Sequence, residues 1–143
     1  MKNKINQILI TTQSEFNALP GNFDNYTKII IPGGTLDVKI IIKKIPINSF
    51  IIARGNSNIV VYNNIYIKAY EYSYIVAHEN SIIEVYDNSN VMSYENSIVK
   101  AYGNSTVDAF GGNIEAYENS TIRVYFKSTN IKKVSKKSNI VYM

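Results

Sequence analysis

Few side chains in this sequence could do chemistry. His78 is the single histidine and cysteine is absent. The acids that recur at a fixed spacing form two series, Glu71, Asp87 and Glu118 in one and Glu79 and Glu95 in the other. A histidine poised near a carboxylate could act as a general base, and carboxylates stacked in a column could share a hard cation such as calcium. The pattern favours neither. His78 stands where neighbouring repeats place tyrosine or phenylalanine, so it reads as an aromatic substitute. The acid series are interrupted by Gly103 and Gly111, and each corner supplies one carboxylate. No thiol nucleophile, glycine-rich phosphate loop or metal-ligand spacing is present. A thin repeat of 143 residues also offers no cleft for the paired carboxylates of glycoside hydrolysis. The expectation is a protein that is no enzyme and holds no cofactor or metal.

The elements that carry these residues follow from an eight-residue period. Written from Ala53 the sequence runs ARGNSNIV, VYNNIYIK, AYEYSYIV, AHENSIIE, VYDNSNVM, SYENSIVK, AYGNSTVD, the shortened AFGGNIE, and AYENSTIR. A ten-residue unit and VSKKSNIV follow, and IPINSFII precedes. A period held this long marks a solenoid, in which each unit buries its apolar face only against its neighbours. Position seven is always Ile or Val, position one is small, and position two is nearly always aromatic. Strand alternation then turns seven and one inwards and six, eight and two outwards. Positions three to five supply the corner. There Asn is expected to take left-handed backbone and the Ser hydroxyl to bond the turn, so the Asn ladder (Asn56, Asn64, Asn80, Asn88, Asn96, Asn104, Asn119) reads as structural.

Position eight sets the number of units per turn. Alternate units give Lys68, Glu84, Lys100 and Glu115 in one series and Val60, Val76, Met92, Asp108 and Arg123 in the other. The first series stacks opposite charges at the strand spacing of about 4.8 Å if a turn holds two units. The sequence therefore predicts an all-β, single-domain β-solenoid (β-helix) with two strands, sixteen residues, per turn. A triangular coil of twenty-four is the alternative.

Residues 1–44 lack the clean octad and read as a small N-terminal α/β cap ahead of the solenoid of residues 45–143. Ile8 to Ile10 can form a strand, and Thr12 with Glu15 makes a capping box for a short helix, SEFNAL, that Pro20 ends. YTKIII, the turn PGGT and LDVKIII read as a hairpin. At the other end Lys132, Lys133, Lys136 and Lys137 fall on or beside the last strand, where lysines deter strand-on-strand aggregation. With Lys127 they could also form a basic contact patch.

With two units per turn one outward face has an apolar centre flanked by aromatics: Val60, Tyr62, Tyr74, Val76, His78, Met92, Tyr94 and Phe110. Exposed apolar patches of that size mark interfaces, so these residues are the candidate partner-binding surface, for another protein or for self-association as a homodimer. The tyrosine columns could serve recognition or simply brace stacked strands. Nucleic acid is a second class of partner. The formal net charge is +4, but residues 69–118 carry eight acids against Lys100 alone, and that aromatic, acidic middle would repel a phosphate backbone. Only the basic ends remain for such contact. Ice binding would want rows of Thr, and only Thr106 and Thr121 qualify. The absence of cysteine fits a reducing cytoplasm, and neither a signal peptide nor a membrane span is expected.

The runs AYGNSTVDAF, ENSIIEVYDNSNV and AYENSTIRVY resemble the octapeptide-repeat proteins of phages and other mobile elements of low-GC Gram-positive and gut bacteria, and SEFNALPGNFDNYTKIIIPGG resembles their lead-in segment. The resemblance covers nearly the whole chain and has no single activity attached to it. It implies a phage protein acting in the host cytoplasm during infection. Small cysteine-free phage proteins of this kind are often stoichiometric inhibitors of host defence proteins such as CRISPR-Cas, which makes the chain an anti-CRISPR candidate acting by direct binding. A structural or carbohydrate-contacting phage component is the alternative.

Overall fold

A computed structural model describes residues 5–34 and 39–143. Fifteen strands and one short helix follow in the order β1 (Asn6–Leu9), α1 (Gln13–Asn17), β2 (Asn22–Ile31), β3 (Lys39–Ile42), β4 (Ile47–Ala53), β5 (Asn58–Val61), β6 (Tyr66–Ala69), β7 (Tyr74–Ala77) and β8 (Ile82–Val85). They continue with β9 (Asn90–Ser93), β10 (Ile98–Ala101), β11 (Thr106–Ala109), β12 (Asn113–Ala116), β13 (Thr121–Val124), β14 (Asn130–Lys133) and β15 (Asn139–Tyr142).

From β2 onwards successive strands enter two sheets alternately, and β1 adds to the edge of the first. One sheet runs β1-β2-β4-β6-β8-β10-β12-β14 and the other β3-β5-β7-β9-β11-β13-β15, and every pairing is parallel. Lys68 pairs with Glu84 and Glu84 with Lys100, sixteen residues apart, so each turn holds two octads. This is the two-strand β-solenoid that the charge alternation predicts, and the three-strand coil is excluded.

Inward burial follows the octad. Position-seven residues such as Ile59, Ile67, Ile75, Ile83, Val99 and Val107 are fully buried, as are Ala53, Ala69, Ala77, Ala101 and Ala109 at position one. Alternating a branched residue with a small one lets two sheets close on a thin core without voids. The shortened unit keeps the register through Gly112, whose φ is 91° and where a Cβ would stand 2.3 Å from the Ser97 carbonyl oxygen. Only glycine fits that approach.

The corner differs from expectation. From Ala53 onwards the left-handed residue is position three, not the Asn at position four: Glu71, Glu79, Asp87, Glu95 and Glu118 have φ between 50° and 64°, whereas in IPINSFII it is Asn48 at position four, with φ of 64°. The ladder asparagines are exposed. Each of these acids lies over the preceding turn and accepts from its position-three amide: Gly55 N–H donates to Glu71 at 2.6 Å, Asn63 to Glu79 at 2.8 Å, Glu71 to Asp87 at 2.9 Å, Glu79 to Glu95 at 2.5 Å and Gly103 to Glu118 at 2.5 Å. That column of charge-assisted bonds repays the left-handed backbone. Serine at position five closes the turn with its hydroxyl in only part of the repeats. Ser73 and Ser120 donate to the carbonyls of Tyr70 and Tyr117, and Ser89 donates to the Glu71 carbonyl of the turn before. The hydroxyls of Ser57, Ser81, Ser97 and Ser105 are buried without a hydrogen-bond partner among the described residues.

In the N-terminal segment α1 forms with the Thr12–Glu15 capping box and β1 pairs with β2. The hairpin does not form. β2 and β3 lie in opposite sheets, and β2 pairs in parallel with β4, placing Ile29 beside Ile51 and Ile31 beside Ala53. Buried Ile29 and Ile31 thus act as positions seven and one of a disguised repeat, followed at position three by Gly33 with φ of 76°. Residues 35–38 of that expected hairpin lie outside the described residues. Among the described residues no helix is long and apolar enough to cross a membrane.

Candidate binding faces

Two outward sheet faces and two aromatic columns are available for recognition. The column at the end of the seven-stranded sheet stacks Tyr62, His78, Tyr94, Phe110 and Tyr125, with ring centroids 4.8, 5.0, 5.1 and 4.5 Å apart and planes within 11° of parallel. The other stacks Tyr70, Tyr86, Tyr102 and Tyr117 at 4.9, 4.9 and 4.5 Å. At this spacing both faces of every internal ring are covered by its neighbours, His78 included. The first rings are covered too, Tyr62 by the Lys43 ammonium at 5.6 Å and Tyr70 by the Arg54 guanidinium at 5.2 Å. Stacking of bases or sugars needs a free ring face, and the columns present mainly edges.

The seven-stranded face carries the predicted partner-binding residues. Ile41, Val60, Val76 and Met92 stand in register on β3, β5, β7 and β9, and the row continues into Asp108 and Arg123. The arrangement brings Tyr62, His78, Tyr94 and Phe110 into one column beside this row and places Tyr74 on its other side. One residue departs from expectation: Val60 is 7% exposed, because Ile41 and Val76 flank it at strand spacing. Val76 and Met92 are half-buried, whereas Ile41, which lay in the expected hairpin, is 44% exposed. The Tyr74 hydroxyl donates to Met92 Sδ at 2.9 Å, and burial, followed by the proximity of Tyr94 and Asp108, raises its pKa above the ordinary value. Arg123 and Asp108 close the apolar row with an ion pair of 2.5 Å.

The eight-stranded face is polar along its middle. Lys68, Glu84, Lys100, Glu115 and Lys132 alternate in sign from strand to strand, and Lys68 reaches Glu84 at 3.7 Å. Burial would raise the Glu84 carboxyl, but hydrogen bonds from Tyr66 and Tyr86, with Lys68 and Lys100 nearby, hold it below its ordinary value. Burial and then the bond to Glu84 push both tyrosine hydroxyls above theirs. The bond from Tyr117 to Glu115, then burial, pushes Tyr117 up to about 12.

The basic patch is exposed. Lys132 and Lys133 lie on β14, the outermost strand of its sheet among the described residues, Lys136 and Lys137 follow in the next corner, and Lys127 lies in the turn before β14. Of these lysines Lys137 lines a shallow cleft with Tyr102 and Tyr117, at the C-terminal end of one aromatic column. Among the described residues no three of His, Cys, Asp and Glu gather as metal ligands; five corner acids are engaged with backbone amides instead. The bonds from the corner carboxylates to amides of the preceding turn and the cationic covers on Tyr62 and Tyr70 escaped sequence reasoning, which saw the acid columns only as a possible cation site. Gly55 and Gly103 alternating with acids at position three are the signal that could have found the left-handed corner.

The geometry defines the class as a parallel two-strand β-solenoid with one apolar and one charge-laddered face. The chain matches no family model, no curated protein and no solved structure.

Proposed function

We propose that the chain is a non-enzymatic protein-binding module that docks a partner on the seven-stranded face. The observation that carries this reading is the in-register apolar row of Ile41, Val60, Val76 and Met92, bordered by stacked aromatics on one side and Tyr74 on the other. Such a rigid, pre-ordered surface loses little entropy on binding. The resemblance to phage octapeptide-repeat proteins supports a host defence protein, such as a CRISPR-Cas component, as the target, with inhibition by occupancy. A carbohydrate-contacting role is less favoured because the ring faces are covered by one another.

The double variant Val76→Glu, Met92→Glu places two charges on outward positions and should retain the β-sheet circular dichroism of the wild type. Affinity capture from a bacterial lysate with mass spectrometry, beside size-exclusion chromatography, should show a partner or dimer with wild type that the variant loses. Association that is unchanged in a folded variant would refute the assignment.

A further inference from the structure

A second site adjoins the N-terminal end of this face, between the cap helix and the first turns, and shares Ile41 with it. A cleft of about 510 Å³ is lined by Phe16 and Leu19 from α1 and its exit, and by Ile41, Lys43, Lys44 and Ile45 from β3 and the segment after it. Its two ends are tied. Gln13 donates from Nε2 to the Ile41 carbonyl at 3.0 Å and accepts from the Ile41 amide at 2.6 Å, while the Ile47 amide donates to the Gly21 carbonyl at 3.0 Å. The opening between α1 and β3 is therefore held by backbone-directed bonds and does not depend on a ligand to form.

The lining combines two chemistries. Phe16 is buried in the core cluster, and Leu19 and Ile45 pack against it, so the floor is apolar. The only charged residues in the lining are Lys43 and Lys44. Among the described residues neither takes part in an ion pair, and the Lys43 ammonium rests over the Tyr62 ring at 5.6 Å, at the border of the cleft. Pockets for small ligands span about 300–1,000 Å³ and pair an apolar wall with a few polar groups that orient the ligand. We propose that this cleft binds a small amphipathic carboxylate, its aliphatic body against Phe16, Leu19 and Ile45 and its anionic head at Lys43 and Lys44. A neutral or cationic head would leave the two ammonium groups without a counter-charge. The proposal does not rest on the partner-binding reading, although the two surfaces meet at Ile41.

Heteronuclear NMR titration of the full chain with sodium decanoate, kept below its micelle concentration, tests it. Saturable shifts should centre on the amides of Phe16, Leu19 and Lys44. The double variant Lys43→Glu, Lys44→Glu should bind at least roughly tenfold more weakly, as expected when two attractive charges become repulsive. Decanol, with the same chain and no charge, should bind wild type correspondingly less, and this comparison stands even where the variant misfolds. No shifts at these amides, shifts centred on Val76 and Met92, or equal affinity for decanoate and decanol would each overturn the proposal, as would undiminished binding by a folded variant.

Discussion

Glu79 has φ of 57°, a region that costs a non-glycine residue about 1 kcal/mol or more, and its carboxylate accepts from the Asn63 amide at 2.8 Å. These two facts act against each other. Glu79→Ala keeps the backbone cost and removes the acceptor, so it should destabilise the fold by about 1–2 kcal/mol. Glu79→Gly removes both and should cost less. Urea unfolding of the two variants compares them directly, and equal midpoints would contradict the compensation. The tyrosines make a second prediction at this scale. Tyr66, Tyr86 and Tyr117 are raised in the folded state above the ordinary value of 10. Their contribution is present in full below pH 10 and is lost as pH rises towards the folded values, for Tyr117 about 12. Alkaline titration followed by tyrosine absorbance should show a late-ionising group of tyrosines and stability falling above pH 10. Glu84 works in the opposite direction. Its lowered pKa adds stability above the ordinary 4.5 that is lost as pH falls through the folded value.

Single turns succeed or fail on their corners. In the unit AFGGNIE one residue is missing, yet β12 still pairs with β10 in register, Ile114 beside Val99 and Ala116 beside Ala101. Gly112 absorbs the deletion with its positive φ and its approach to Ser97. Gly112→Ala should cost roughly 2–4 kcal/mol, the range for a strained backbone combined with a steric clash, measured as a lowered thermal midpoint. The strands on either side were legible because their period of two is written in residue type. The corner was not, because by local preference Asn is a better left-handed residue than Glu. What selects Glu at position three is an amide in the previous turn, sixteen residues away. The same holds for β2 and β3. PGGT between two apolar runs has the local signature of a hairpin, but Ile29 and Ile31 are buried as a rung paired with Ile51 and Ala53, a partner strand that local sequence does not reveal.

Across the whole molecule each turn contacts only its neighbours, so stability should be distributed nearly one-dimensionally. Ile131 and Ile140, inward residues of β14 and β15, are only partly buried, whereas their counterparts in the middle turns are fully buried. Hydrogen exchange should accordingly be slowest in β6 to β12 and fastest in β14 and β15. Uniform protection along the chain would count against neighbour-only coupling. The octad alone established the inward residues, the aromatic columns and, through Lys68, Glu84, Lys100 and Glu115, two strands per turn, because these are properties of residue type at a fixed spacing. It also located the apolar face from Val60 to Phe110. Tertiary structure decided how much of that face is accessible, that the rings cover one another, that the corner acids serve the backbone, and that a cleft exists beneath α1. Those outcomes depend on which turn lies above which and at what distance, and a one-dimensional period does not carry that information.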